Sequence, residues 1–196
     1  MAIPTREQAV AAILQLQPSP RFLAHASAVA DVAAFLAARL AAAGAPLDRT
    51  LAETAAWVHD VDKLFPPGDP RRAEGHGAAG ARWCVSQGWP ELAEPVAGHP
   101  VGRLLDHQDT VAWLRSTPLE ALVVAYADKR AAQHVEPMRA RFARWRTAHP
   151  ERTDWLEHSW ARAVELEAYL CATAGITPSG VRRLRWARRT IARADR

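Results

Sequence analysis

Trp57-Val58-His59-Asp60-Val61-Asp62-Lys63 places an imidazole, a carboxylate and an ammonium within a few residues of one another. Side by side on a helix, His59 and Asp60 offer one ring nitrogen and one carboxylate oxygen to the same small volume. That donor set suits a divalent ion such as Mn, Fe, Co, Ni or Zn. Lys63 follows Asp60 at i+3 and shares its helix face. An ammonium beside a metal-binding carboxylate repels the metal, which points Lys63 toward an anion bound at the same place. Two neighbouring ligands cannot hold an ion alone, so others must come from distant parts of the chain.

The elements that must bring them are helices. Alanine is abundant, the Val/Ile/Thr alternation of strands is nearly absent, and helix punctuation recurs, so an all-α fold is expected. Thr5 with Gln8 forms a capping-box pattern opening a first helix to about Gln17. Ser19-Pro20 opens a second, closed by Gly44, on which His25, Val29, Val32 and Leu36 follow the 3,4 spacing of a buried stripe. His25 is the polar member of that stripe, either a core histidine with one hydrogen-bond partner or a ligand. Pro46-Leu47-Asp48 starts a third helix, with His59 and Asp60 near its C-terminal end. A stiff Pro/Gly loop and Arg71-Arg72 lead to Gly75-His76-Gly77, where small neighbours let another backbone or a ligand approach. A short helix from near Pro90 ends at Gly98-His99-Pro100. Thr117-Pro118-Leu119-Glu120 reads as a helix start, and the apolar run Ala121 to Ala127 then reaches Asp128. A carboxylate directly after such a run is at least partly buried and needs a cation or several donors. Two further helices are expected: one beyond Pro137, interleaving arginines with Phe142 and Trp145, and one from Asp154 to Ala174.

Composition narrows the class. The 196 residues carry a net charge of +4, but seven arginines crowd residues 181–196 and the rest of the chain is slightly acidic. The body is therefore no polyanion-binding surface, and the tail reads as a docked helix with a solvated basic face rather than a nucleic-acid contact. Of 25 basic residues only Lys63 and Lys129 are lysines, each close after an aspartate of interest, Asp60 and Asp128. A compact ammonium differs chemically from a planar guanidinium, which suggests a requirement at both places. Cys84 and Cys171 read as buried thiols in a reducing compartment. No signal peptide or uncharged membrane span is evident, so a cytoplasmic location without membrane contact is expected. Eight tryptophans leave room for a homodimer interface.

The order His25, His59-Asp60, His76, His99, Asp128 resembles the HD-domain superfamily of metal-dependent phosphohydrolases, over roughly residues 20–135. Lys63 after the His-Asp pair and Tyr126-Ala127-Asp128-Lys129 strengthen the match. The resemblance implies an HD-type helical bundle over residues 1–176 with additional C-terminal helices, and a basic segment at 177–196. It implies metal ligands His25, His59, Asp60 and Asp128, with His76 and His99 matching the two extra histidines of the members that hold two ions. Asp60 would then bridge, with His25, His59 and Asp128 on one ion, Fe, Mn or another transition metal, and His76 and His99 on the other. The ligand order is similar to that of the HD-type hydrolases that split diadenosine tetraphosphate symmetrically. This chain departs from them in carrying Pro100 after His99 and basic residues after Asp128.

The activity implied is hydrolysis of a phosphate ester or anhydride of a nucleotide or dinucleoside polyphosphate by a metal-activated water. Asp60 and Lys63 are the candidate catalytic residues. Lys63, with Lys129 or Arg130, would neutralise charge on the substrate's phosphates. Alternatives are a mononuclear nucleotidase, with His76 and His99 as bystanders, and a metal-containing sensor that performs no chemistry.

Overall fold

The computed structural model describes residues 3–181 and residue 194. Among them the chain is helical, with no β-strand beyond one isolated bridge, Ala131 to Val135. The helices are α1 (Arg6–Leu14), α2 (Pro20–Ala42), α3 (Arg49–Val58), α4 (Ala78–Ser86), α5 (Ala93–Gly98), α6 (Thr110–Ser116), α7 (Leu119–Lys129), α8 (Met138–Ala148) and α9 (Thr153–Thr173). Short 3-10 turns, notably Val61–Leu64, Pro70–Glu74 and Val101–Leu105, link them.

The starts follow from capping chemistry. Thr5 and Gln8 form the reciprocal capping box on α1, and the side chains of Ser19 and Asp48 accept from the third backbone N–H of α2 and α3. α7 begins one residue later than the sequence suggests. Thr117 makes no side-chain cap; Pro118 holds the entry, and Glu120 reaches away to accept from the Asp48 backbone N–H.

Helices α2, α3 and α7 pack on one another and form the centre. Ala26, Ala28, Ala30, Ala33 and Ala37 line much of α2, and such small side chains let neighbours come close while Trp57, Leu36, Leu122 and Tyr126 fill the space between. Every residue from Ala121 to Lys129 is buried. α2 has the length and apolarity of a membrane-crossing helix, and 72% of its most apolar window is buried within the molecule. Cys84 and Cys171 are buried and unpaired. The reading of the basic tail at 177–196 as a docked helix falls mostly on residues outside those described; of the rest, Pro178–Gly180 form a 3-10 turn, Val181 is buried, and Ala194 packs on the core.

One helix contact bears directly on the histidines. α4 meets α5 through small residues: a Cβ on Gly80 would lie 2.9 Å from Val96 Cγ1. Gly77, just before α4, has φ +86°, and a Cβ there would lie 2.8 Å from Pro100 Cγ and 3.0 Å from the Ala97 carbonyl oxygen. Both the left-handed backbone and the contact require glycine. Gly77→Ala is therefore expected to lower the unfolding free energy by about 1–3 kcal/mol in chemical denaturation. A loss within experimental error would contradict this packing.

Candidate metal centre

His59 and His99 are positioned by the same local device. Each follows the last residue of a helix, α3 and α5, with its own backbone still in the right-handed helical region. Helix ends leave carbonyls without intrahelical partners. Each ring turns back to fill that need: Nδ1 of His59 donates to the Ala56 carbonyl at 2.8 Å, and Nδ1 of His99 to the Val96 carbonyl at 2.6 Å. The His-Asp pair thus stands just past the end of α3, not inside it. Asp60 leaves the helix with φ −102° and ψ 13°, and the following 3-10 turn carries Lys63.

His25 comes from α2 and donates Nδ1–H to the Ala132 carbonyl at 2.8 Å. His76, before α4, donates Nδ1–H to Asp62 Oδ2, also at 2.8 Å. Carbonyls and carboxylates only accept, so all four rings carry a proton on Nδ1 and, once a metal displaces any second proton, offer an Nε2 lone pair.

Those lone pairs converge in two opposed pairs. Nε2 of His25 lies 3.2 Å from that of His59, and Nε2 of His76 lies 3.2 Å from that of His99. Asp60 stands between the pairs. Its Oδ2 is 3.3 and 3.5 Å from Nε2 of His25 and His59, and its Oδ1 is 3.5 and 3.4 Å from Nε2 of His76 and His99. Asp128 Oδ1 joins the first pair at 3.4 and 3.8 Å. Asp60 Oδ1 is buried and accepts no hydrogen bond among the described residues. Facing lone pairs repel unless a proton or a metal ion lies between them. Atoms each bound about 2.0–2.2 Å from a shared ion stand roughly 3–3.6 Å apart, close to the spacing here. The donor set therefore fits divalent metal on both faces of Asp60. His25, His59, Asp60 and Asp128 form one group, and His76, His99 and Asp60 the other.

The electrostatics agree. Burial alone would lower the pKa of His25, but hydrogen bonds and charge from Asp128 and Asp60 outweigh it and raise the value to about 9. His99 goes the other way: burial, only partly offset by Asp60, brings it down to about 4. Burial pushes the Asp60 and Asp128 carboxyls up, yet their cationic and histidine neighbours hold both well below the usual carboxylate range.

Of the residues expected to meet substrate, only Lys63 is placed to do so. Its side chain is half exposed and pairs with Asp60 Oδ2 at 2.7 Å at the rim of the centre. Lys129 and Arg130 are corrections. Lys129 is fully buried; its Nζ donates to the His99 carbonyl at 2.6 Å and lies 3.5 Å from Asp128 Oδ2. It braces two ligands and has no surface with which to touch a phosphate. Arg130 turns the opposite way, into a buried network with Tyr126, Glu167 and the carbonyls of Glu136 and Pro178. Arg71 pairs with Asp69 and lies over the Phe65 ring, while Arg72 borders the cleft beside His76.

Two contributors escaped the sequence. Asp62 orients His76 and also accepts from the Gly77 N–H at 2.9 Å. It lies inside the opening motif, but nothing local shows that its partner is fourteen residues away. Arg141, on α8, reaches Asp128 Oδ1 at 3.2 Å, and its Nε is buried without a hydrogen-bond partner among the described residues. Its only trace in the sequence is the interleaving of arginines with aromatics on that helix.

The HD domain family model matches residues 22–133. The chain belongs to the HD-domain family. That span holds all six converging side chains, and membership carries the expectation of divalent-metal binding that the geometry meets. No curated protein and no solved structure matches the chain.

Two outcomes follow. His25 in the metal-free protein keeps its proton up to about pH 9, above the free imidazole value of 6.5. A metal must displace that proton, so apparent affinity should rise with pH toward 9, by about tenfold per unit for one displaced proton. Calorimetric metal titrations between pH 7 and 9 check this, and a flat profile would contradict it. Asp62→Asn keeps the shape but loses the charge that orients His76, and should weaken metal binding about 10–100-fold. Elemental analysis after dialysis against graded chelator reads that loss.

Proposed function

We propose that this HD-domain protein is a dinuclear metal-dependent phosphohydrolase acting on a nucleotide or dinucleoside polyphosphate. The observation that carries the reading is the two-faced Asp60, with a histidine pair opposed across each carboxylate oxygen. Bound divalent ions supply Lewis acidity and a water acidic enough to attack phosphorus near neutral pH.

The chain's own residues do the rest. The four rings, locked by their Nδ1 donations, hold their positions without reorganisation, which is what favours a charged transition state. Lys63, at the rim and half exposed, can leave Asp60 to meet a phosphate oxygen. Arg141 presents a second cation on the Asp128 side, with one N–H unpartnered among the described residues. Two clefts share Lys63 and Arg141: one of about 330 Å³ on the His76 side and one of about 410 Å³ beside His25, reaching Arg21 and Phe22. Two clefts meeting at the same His/Asp centre support a substrate with a group on either side of the bond that breaks. This is the argument for the dinucleoside polyphosphate reading, with a free nucleotide as the simpler case. The metals would be Fe, Mn or another transition metal that His and carboxylate donors accept, and the setting cytoplasmic.

The test is hydrolysis of diadenosine tetraphosphate, nucleoside mono- and triphosphates and guanosine tetraphosphate with Mn(II) or Fe(II), wild type beside Asp60→Ala, with products separated by chromatography. The expected result is turnover of at least one substrate, reduced about a thousandfold or more in Asp60→Ala. Metal-loaded wild type no faster than the variant across the panel would refute the enzyme reading in favour of a metal-containing sensor.

A further inference from the structure

The 330 Å³ cleft is not closed by the part of the chain that matches the HD family. Its outer wall comes from α8, the turn after it and the start of α9, all beyond residue 133. Two indoles, Trp145 and Trp155, line it. Trp155 is 36% exposed, one of few large apolar side chains left open to solvent among the described residues. It is fitted there closely: a Cβ on Gly102, in the turn that follows His99-Pro100, would come 3.2 Å from Trp155 Cζ2. Trp145 is braced by Phe142, edge to face at 5.0 Å between centroids, and by the Arg141 guanidinium, 4.8 Å from its ring centroid.

The charge in this cleft has one sign away from the metal ligands. Lys63, Arg141 and Arg152 line it, with His149 beside them, and the acid among the lining residues is Asp128, already one of the converging ligands. An apolar wall of two indoles and a cationic floor leading to a metal centre describe a ligand that is planar and aromatic at one end and polyanionic at the other. The volume lies at the lower end of the range for small-ligand sites.

We propose that α8 and the start of α9 form a nucleobase subsite, with the base packed on Trp145 and Trp155 and the phosphates led over Arg152 and Arg141 to the metal centre. The proposal rests on the hydrolase reading for its direction, since it makes these residues the ones that select nucleotides over base-free phosphates. Indole stacking serves any base, so the subsite favours the presence of a base over its identity.

Calorimetry on the metal-loaded full chain tests it with two ligands that cannot turn over, α,β-methylene-ADP and its base-free counterpart methylenediphosphonate. The nucleotide analogue is expected to bind at least about tenfold tighter than the diphosphonate. Trp155→Ala should remove most of that difference without changing diphosphonate affinity, and Trp155→Phe should restore much of it. Gly102→Val, which pushes the indole aside, should mimic Trp155→Ala. Equal affinity for the two ligands, or an equal loss for both in Trp155→Ala, would overturn the subsite. Because neither ligand is hydrolysed, the two readings fail separately. A base preference without turnover sinks the hydrolase alone, and turnover of tripolyphosphate and ATP with no base preference sinks the subsite alone.

Discussion

Four imidazoles cannot point their Nε2 atoms at one another across a buried carboxylate without a proton or a metal ion between them. That repulsion is what the rest of the fold must sustain. It is sustained by four Nδ1 hydrogen bonds, three to backbone carbonyls and one to Asp62, which prevent the rings from rotating to relieve it. The cost is met when the site holds positive charge. Hydrogen bonds and charge from Asp128 and Asp60 make His25 unusually basic in the absence of metal, and histidine and cationic neighbours hold those two carboxyls well below the usual carboxylate range.

The helices serve this arrangement more than they serve one another. α3 and α5 both stop where a histidine can use an orphan carbonyl, so each ends at a ligand. α7 delivers Asp128 and, one residue on, the buried Lys129 that ties Asp128 to the backbone of His99. Two halves of the centre are thereby coupled through one ammonium that never reaches solvent. An arginine there would need room for a planar fork that a fully buried position against a single carbonyl does not offer.

Much of this was legible in the residues. His25 announced itself as the polar member of a 3,4 apolar stripe, and Asp128 as a carboxylate after a run too apolar to leave it solvated. The resemblance to the HD superfamily supplied His76 and His99, whose glycine- and proline-flanked positions carried only a weak local signal. The paucity of lysine drew attention to Lys63 and Lys129, whose placements diverge: Lys63 faces the cleft, while Lys129 is buried as a brace. Where the chain bends out of α3 at Asp60 depends on φ and ψ at a single residue, which no periodicity reports. Asp62 and Arg141 were hidden for a different reason. Each acts on a partner brought close only by tertiary packing, and a side chain on an amphipathic helix looks the same whether it faces water or a neighbouring site.

The central claim is that Asp60 serves two ions and not one. Elemental analysis of the purified chain after loading with Mn(II) or Fe(II), wild type beside a His76→Ala/His99→Ala double variant, addresses it most directly. The account predicts close to two ions per wild-type chain and close to one in the double variant, with His25, His59 and Asp128 retaining theirs. One ion per wild-type chain, unchanged in the double variant, would contradict it.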